Sequence, residues 1–267
     1  MSTPVQTIQT RIWHEEAEAD NPFAVRSAHC RGYDVFGQMV GQARWTEMLC
    51  LLFRDDLPSP AALRLLEALA VALANPGPRD PSVYSAMCGG ACGSPAAASL
   101  MAALAAGAGR HGGAREVFAA MTGWLTHGRD LNAWANHDID EADQIVDIWP
   151  PDEHLPGFDP NGVSTASSVR QLLSTLAAIG PFPYLAWLAE HRAELEALAG
   201  MPLNQAGVAA ATFIDLGFSP REGEMLYLIL RLPGAAAHAL EQEDYGFRNF
   251  PFYPVELSDD PGRQEEK

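Results

Sequence analysis

Among residues able to do chemistry, His111 has the most constrained setting, the glycine-rich turn Gly109-Arg110-His111-Gly112-Gly113. Before it runs an alanine-rich segment with Leu100, Met101 and Leu104 at helical spacing, and after it a second helix is expected from Ala114 to Met121. Small side chains let neighbours approach closely, so the first segment is expected to be a buried central helix. The free N–H groups and positive dipole end of the second helix lie beside the imidazole, a place that suits a neutral ring. The same pattern also fits a plain histidine in an exposed turn. Other candidate sets carry less. Cys30, Cys50, Cys88 and Cys92 lack the two-plus-two spacing of a metal site and read as buried thiols of a cytosolic protein. His137-Asp138-Ile139-Asp140-Glu141 offers metal-type ligands, but consecutive helical residues point in different directions. That stretch reads as a solvated acidic helix, and no metal is expected.

The His111 tract resembles the citrate synthase family, in which a small-residue helix runs into G-x-x-H-G-G-A, here with one residue fewer before the histidine. It is closer still to the short citryl-CoA lyases and the C-terminal module of ATP-citrate lyase. Trp45-Thr46-Glu47 through Leu57-Pro58-Ser59 follows the family's F-x-E-x-x-x-L-L-x-x-x-x-L-P-x spacing. The resemblance implies that His111 hydrogen-bonds the thioester oxygen while an acyl-CoA is enolised. It implies that Pro156, Gly157 and Phe158, matching P-G-F, contact CoA through their backbone. Beyond them the family pattern is altered: either Pro160 replaces its histidine, or the loop is shortened and Asn161 stands where arginine belongs. His154 comes too early in register to take that role. Phe247-Arg248-Asn249-Phe250-Pro251-Phe252-Tyr253 resembles the family's R-P-x-x-Y, which implies that Arg248 pairs with a substrate carboxylate. The stretch through Gly234, Ala237, His238, Glu241 and Gln242 reproduces R-x-x-G-x-x-A-H-x-x-E-Q, where His238 belongs to the fold. Two family groups are replaced. Pro76 stands at the oxo-acid histidine of D-H-G-P, and Ala206 stands at the aspartate of N-x-D that removes the acyl proton. Asp215 lies too far along the same helix to substitute and is expected to be structural.

The elements around these residues read as helices punctuated by proline and glycine. Residues 1–31 form an arm, a small strand or irregular segment with the acidic cluster Glu15 to Asp20. Helices are expected over Phe36–Val40, Glu47–Phe53 and Ala61–Ala74, the last with Leu63, Leu66, Leu69 and Leu73 inward. Further ones are expected over Ser167–Ala178, Tyr184–Ala199, Val208–Leu216 and Glu224–Arg231. The fold class is therefore all-α, a citrate synthase-like domain over 32–257 with a large helical part and a small lobe within about 150–235. A disordered tail is expected over 258–267.

The 267 residues carry 17 basic and 34 acidic side chains, a net charge of −17, which argues against nucleic acid or an anionic membrane as partners. No signal-like or bilayer-length apolar segment is present, so a cytoplasmic protein is expected. Two functions remain. One is an enzyme acting on a CoA thioester and a carboxylate, making or breaking the carbon–carbon bond next to the thioester, without a permanently bound cofactor and without ordinary citrate synthesis. The other is a catalytically inactive paralogue serving as a subunit of a heteromeric complex. The alanine-rich helix implies a homodimer or a heteromer with a citrate synthase-like paralogue.

Overall fold

Helices joined by capped turns account for nearly all regular structure in the computed structural model, which describes residues 8–135, 154–251 and 253–255. In chain order they are α1 (Trp45–Phe53), α2 (Pro60–Leu73), α3 (Pro81–Ala91), α4 (Ala96–Gly107), α5 (Ala114–His127), α6 (Leu131–Ala135), α7 (Ser167–Ala177), α8 (Pro183–Ala199), α9 (Gln205–Asp215) and α10 (Pro220–Tyr245). The acidic stretch around 137–147 and the tail over 258–267 lie outside the described residues. The chain divides into two units, one of residues 1–74 with 108–231 and one of 75–107 with 232–267.

In the first unit, the N-terminal arm is an antiparallel sheet of β1 (Trp13–Ala17), β2 (Val25–Cys30) and β3 (Tyr33–Asp34), with Trp13 opposite Cys30 and a register shift at Glu16/Ala17. The β2–β3 turn places Arg31 at φ +52°. Its guanidinium holds that conformation by donating to the carbonyls of Leu51 and Arg11 and pairing with Asp55 at 2.6 Å. Cys30, Met39 and Leu51 close a small apolar cluster against the helical body. A π-helical turn over Val35–Met39 takes the place of the expected short helix, started by Asp34 accepting from the Gly37 N–H.

Helix α2 begins at Pro60 after the Ser59 cap and turns Leu63, Leu66, Leu69 and Leu73 inward, with Leu65 beside them. Helix α5 runs six residues past the expected end at Met121. Its Trp124 meets Trp134, Tyr184 and Trp187 edge-on at centroid distances of 5.0 to 5.7 Å, so these aromatics are core. The helix buried on every side is α9, whose residues Ala206 to Ile214 are all buried and around which α2, α5, α7 and α8 pack. Alanine-rich α4 does not hold that place. It lies in the second unit with only Ser99, Ala103 and Gly107 buried and Met101 turned to solvent. The physical reason is partnership: among the described residues α4 packs mainly on α3, and its other side is exposed.

The second unit pairs α3 and α4 with the last half of α10. Asp80 caps α3 by accepting from the Ser82 N–H, with Pro81 at the first helical position. His238 has a structural role, with Nδ1 3.2 Å from Glu241 and Nε2 3.2 Å from the Asn75 amide. Helix α10 is one 26-residue element containing Pro233, longer than the expected Glu224–Arg231 segment.

Gly90 brings α3 against the backbone of α10, because a Cβ there would overlap the Ala239 carbonyl. Gly90→Ala should cost about 1–3 kcal/mol, read as a lower urea midpoint at unchanged slope. A wild-type midpoint would contradict this approach.

Candidate active site

Gly113 starts α5 without a side-chain cap of its own, and the third residue of that helix, Glu116, reaches back to accept from the Gly112 N–H. A glutamate at this position commonly satisfies the free donors of a helix start. Glu116 does more, because it is only 2% exposed and meets partners from two other segments. Its Oε1 accepts from the Gly157 N–H at 3.0 Å and from the Asn204 amide at 2.6 Å, and lies 3.8 Å from His154 Nε2. Burial pushes the carboxyl's pKa upward. The bonds from His154, Asn204 and the Gly112 and Gly157 N–H groups outweigh that and hold it below its ordinary value.

His111 sits one residue before this clamp, at the exposed surface of the turn. Gly112 after it is held on both sides. Glu116 takes the Gly112 N–H, and Arg231 of α10 donates to the Gly112 carbonyl at 3.2 Å. Gly112 itself has φ +69°, a conformation that disfavours other residues. Arg231 is buried beneath the turn with its guanidinium 4.7 Å from the Tyr227 ring centroid. His154, 4% exposed, lies with its ring centroid 5.2 Å from that of His111, tilted by 35°. A second imidazole thus joins His111, although the sequence pattern left His154 out of register.

The Pro156-Gly157-Phe158 loop is stitched to the start of α9. The Gly157 carbonyl accepts from the Asn204 N–H at 3.0 Å, the Phe158 carbonyl from the Asn204 amide at 3.0 Å, and Phe158 bridges to Leu203. The Phe158 ring enters the core. Gly157 has φ +94°, and a Cβ there would stand 2.9 Å from the Gly207 Cα, so two glycines allow loop and helix to touch. Asn204 also caps α9, its Oδ1 accepting from the Gly207 N–H. Ala206, two residues on, is 2% exposed and carries no polar group. At the far end of α9, Asp215 accepts from the Tyr184 and Leu185 N–H groups and so caps α8, a structural use.

His111, Pro156, Gly157 and Phe158 thus belong to one cluster around Glu116. Arg248 belongs to the second unit, on a 3-10 turn over Phe247–Asn249, where it is exposed. Pro76 lies in the loop before α3, in the same second unit. Glu116, His154 and Arg231 escaped the sequence reading as site residues. A glutamate three residues after a glycine helix start was the available signal for Glu116. Nothing local marks His154, whose place depends on the fold. Among the described residues no group of three His, Cys, Asp or Glu side chains is arranged to hold a metal.

No protein-family model matches the chain, and no curated protein matches its sequence. Solved structures do match. The citryl-CoA lyase from Hydrogenobacter thermophilus superposes with a TM-score of 0.71 over 97% of this chain and 97% of its own, at 20% identity. The ATP citrate lyase from Methanothrix soehngenii, in complex with citrate and coenzyme A, gives 0.70 at 16% identity over 99% of this chain and 44% of its own. The Methanosaeta concilii ATP citrate lyase, in complex with (3S)-citryl-CoA, gives 0.67 at 16% identity over 97% of this chain and 43% of its own. The chain therefore has the mostly helical, citrate synthase-like fold of these lyases.

Removing the buried acceptor should be costly. Glu116→Ala leaves several donors unpaired and should destabilise by roughly 3–5 kcal/mol in chemical denaturation. Because the carboxyl titrates lower folded than unfolded, its contribution is full above the ordinary carboxylate range and lost as pH falls through the folded value. The stability gap between wild type and Glu116→Gln should thus shrink between about pH 7 and about pH 3. A gap independent of pH would contradict the charged, bonded state.

Proposed function

We propose that this chain acts on a CoA thioester and a carboxylate, cleaving or forming the carbon–carbon bond next to the thioester, as a lyase of the citryl-CoA type. The observation that carries this is the His111 turn, held at the start of α5 by Glu116 beneath it and set in a fold shared over 97% of both chains with a citryl-CoA lyase. An exposed imidazole on a clamped turn suits the polarisation of a thioester oxygen, because a fixed donor needs no reorganisation as charge develops. Arg248 is assigned to a substrate carboxylate and Pro156, Gly157 and Phe158 to CoA. The thioester is substrate, with no permanently held cofactor. None of the helices among the described residues is long and apolar enough to cross a membrane, and a cytoplasmic place is proposed.

Assembly belongs to the same proposal. Residues 94–107 of the second unit contain no charged side chain, and the outer side of α4 is apolar. Two copies of a chain with charge −17 repel wherever acidic surfaces meet, so an uncharged helix face is where a homodimer or a paralogue heteromer forms with least opposition. One observation favours a second reading, a non-catalytic subunit: Ala206 is sealed at the start of α9 with no carboxylate of its own.

The direct test offers (3S)-citryl-CoA and follows release of the oxo acid through a coupled dehydrogenase. Cleavage is expected, with His111→Ala reducing kcat/KM about a hundredfold or more. Absence of cleavage, with the chain bound to a paralogue, would favour the second reading. Citrate synthesis from acetyl-CoA and oxaloacetate should run at about a hundredth or less of the rate of an ordinary citrate synthase, since Ala206 cannot take a proton. Static light scattering should give about twice the 28.8 kDa chain mass or a heteromer, and a stable monomer at micromolar concentration would remove the assembly proposal. CoA or dicarboxylates should raise the melting temperature, and Arg248→Ala should abolish the dicarboxylate shift.

A further inference from the structure

We infer that His14 and His29, facing each other across β1 and β2, form a two-histidine site for one divalent transition-metal ion that staples the N-terminal arm. The inference stands apart from the lyase reading. Strand register sets His14 opposite His29 and His29 opposite Asp34, so three polar residues make one row across the sheet. Ala28 and Cys30, which alternate with His29, are buried, and the row therefore lies on the outer face.

The geometry suits shared ligation. The ring centroids of His14 and His29 are 6.2 Å apart, with 41° between their planes. An imidazole nitrogen holds a metal at about 2.0–2.1 Å, so one ion gripped from opposite sides spans centroids up to about 6.4 Å apart. The observed spacing lies inside that limit, and rotation of the exposed His14 side chain brings the rings to tighter angles. Both rings have nitrogens to offer. The His14 side chain makes no hydrogen bond among the described residues. In His29, Nδ1 is buried without a hydrogen-bond partner among the described residues, which leaves Nε2 as the nitrogen open to a ligand. Other histidines are engaged differently: His238 meets Asn75 and Glu241, His154 stands at Glu116, and His191 packs edge-on against Trp187.

Local charge favours a cation. Glu15, Glu16, Glu18 and Asp20 follow His14 along the arm, and Asp34 ends the row. The two carboxylates nearest the pair are used within the arm and the turn after it. Glu16 pairs with Arg26 at 2.5 Å and accepts from the Ser27 hydroxyl, and Asp34 accepts from the Gly37 N–H. Protein ligation therefore stops at two imidazoles, and water completes the sphere. Such a donor set selects nickel, copper or zinc over magnesium or calcium. In the unfolded chain nothing holds the two rings together, so the ion favours the folded arm. Arg31 anchors the β2–β3 turn to the Leu51 carbonyl of α1, and the ion ties β1, an edge strand, to β2.

The test titrates the full chain with NiCl2 and follows the heat of binding and the histidine ring signals by NMR, since Ni2+ is both imidazole-binding and paramagnetic. Wild type should bind Ni2+ saturably, and the ring signals of His14 and His29 should broaden before those of other histidines. His14→Ala, a change at an exposed position, should abolish this binding, and His29→Gln should do the same. Cys92→Ser, which removes an exposed thiol, should retain it, and MgCl2 should produce no binding in any of these proteins. No saturable Ni2+ binding by wild type, binding undiminished in His14→Ala, or binding lost in Cys92→Ser would each overturn the inference. Broadening confined to other histidines of the wild type overturns it as well, a result that needs no variant to fold.

Discussion

A carboxylate hidden from water is tolerable only when donors replace its lost hydration, and Glu116 obtains them from segments far apart in sequence. Its partners come from the turn before α5, the loop after residue 154 and the start of α9. Each also has local reasons for its shape: a helix start, a glycine in the left-handed region, an asparagine cap. What Glu116 adds is their mutual placement, since the acceptor geometry is met only when all three converge. The turn that carries His111 is thereby anchored to a buried charge through the Gly112 N–H.

The helical architecture was legible because its signals are local. Leucine spacing, Ser59-Pro60, Asp80-Pro81 and the glycines after helices each mark a boundary within a few residues. The identity of the central helix was not legible from composition. Both α4 and α9 are rich in alanine, and only the surrounding chain decides which is enclosed. The site divides along the same line. His111 announces itself by its glycines, whereas His154 stands beside it through the packing of the Pro156-Gly157-Phe158 loop on α9. A pattern tied to sequence register has no access to that convergence.

The apolar start of α9 at Ala206 fits this geometry. Asn204, two residues earlier, already directs its amide to Glu116, so one carboxylate occupies the positive end of α9 from a neighbouring helix. A second carboxylate at the same helix end would set like charges close together in a region with little water. One buried charge with a histidine beside it is a self-consistent arrangement at this helix start.

Gly112, between His111 and Gly113, is fastened from both sides, by an acceptor on α5 and a donor on α10. Ordering a turn restricts several dihedral angles, a loss of entropy that a flexible loop would incur each time a ligand arrives. Here folding has already met that loss. The imidazole therefore projects from a backbone with little freedom left to surrender, and its remaining latitude lies in the side-chain torsions alone.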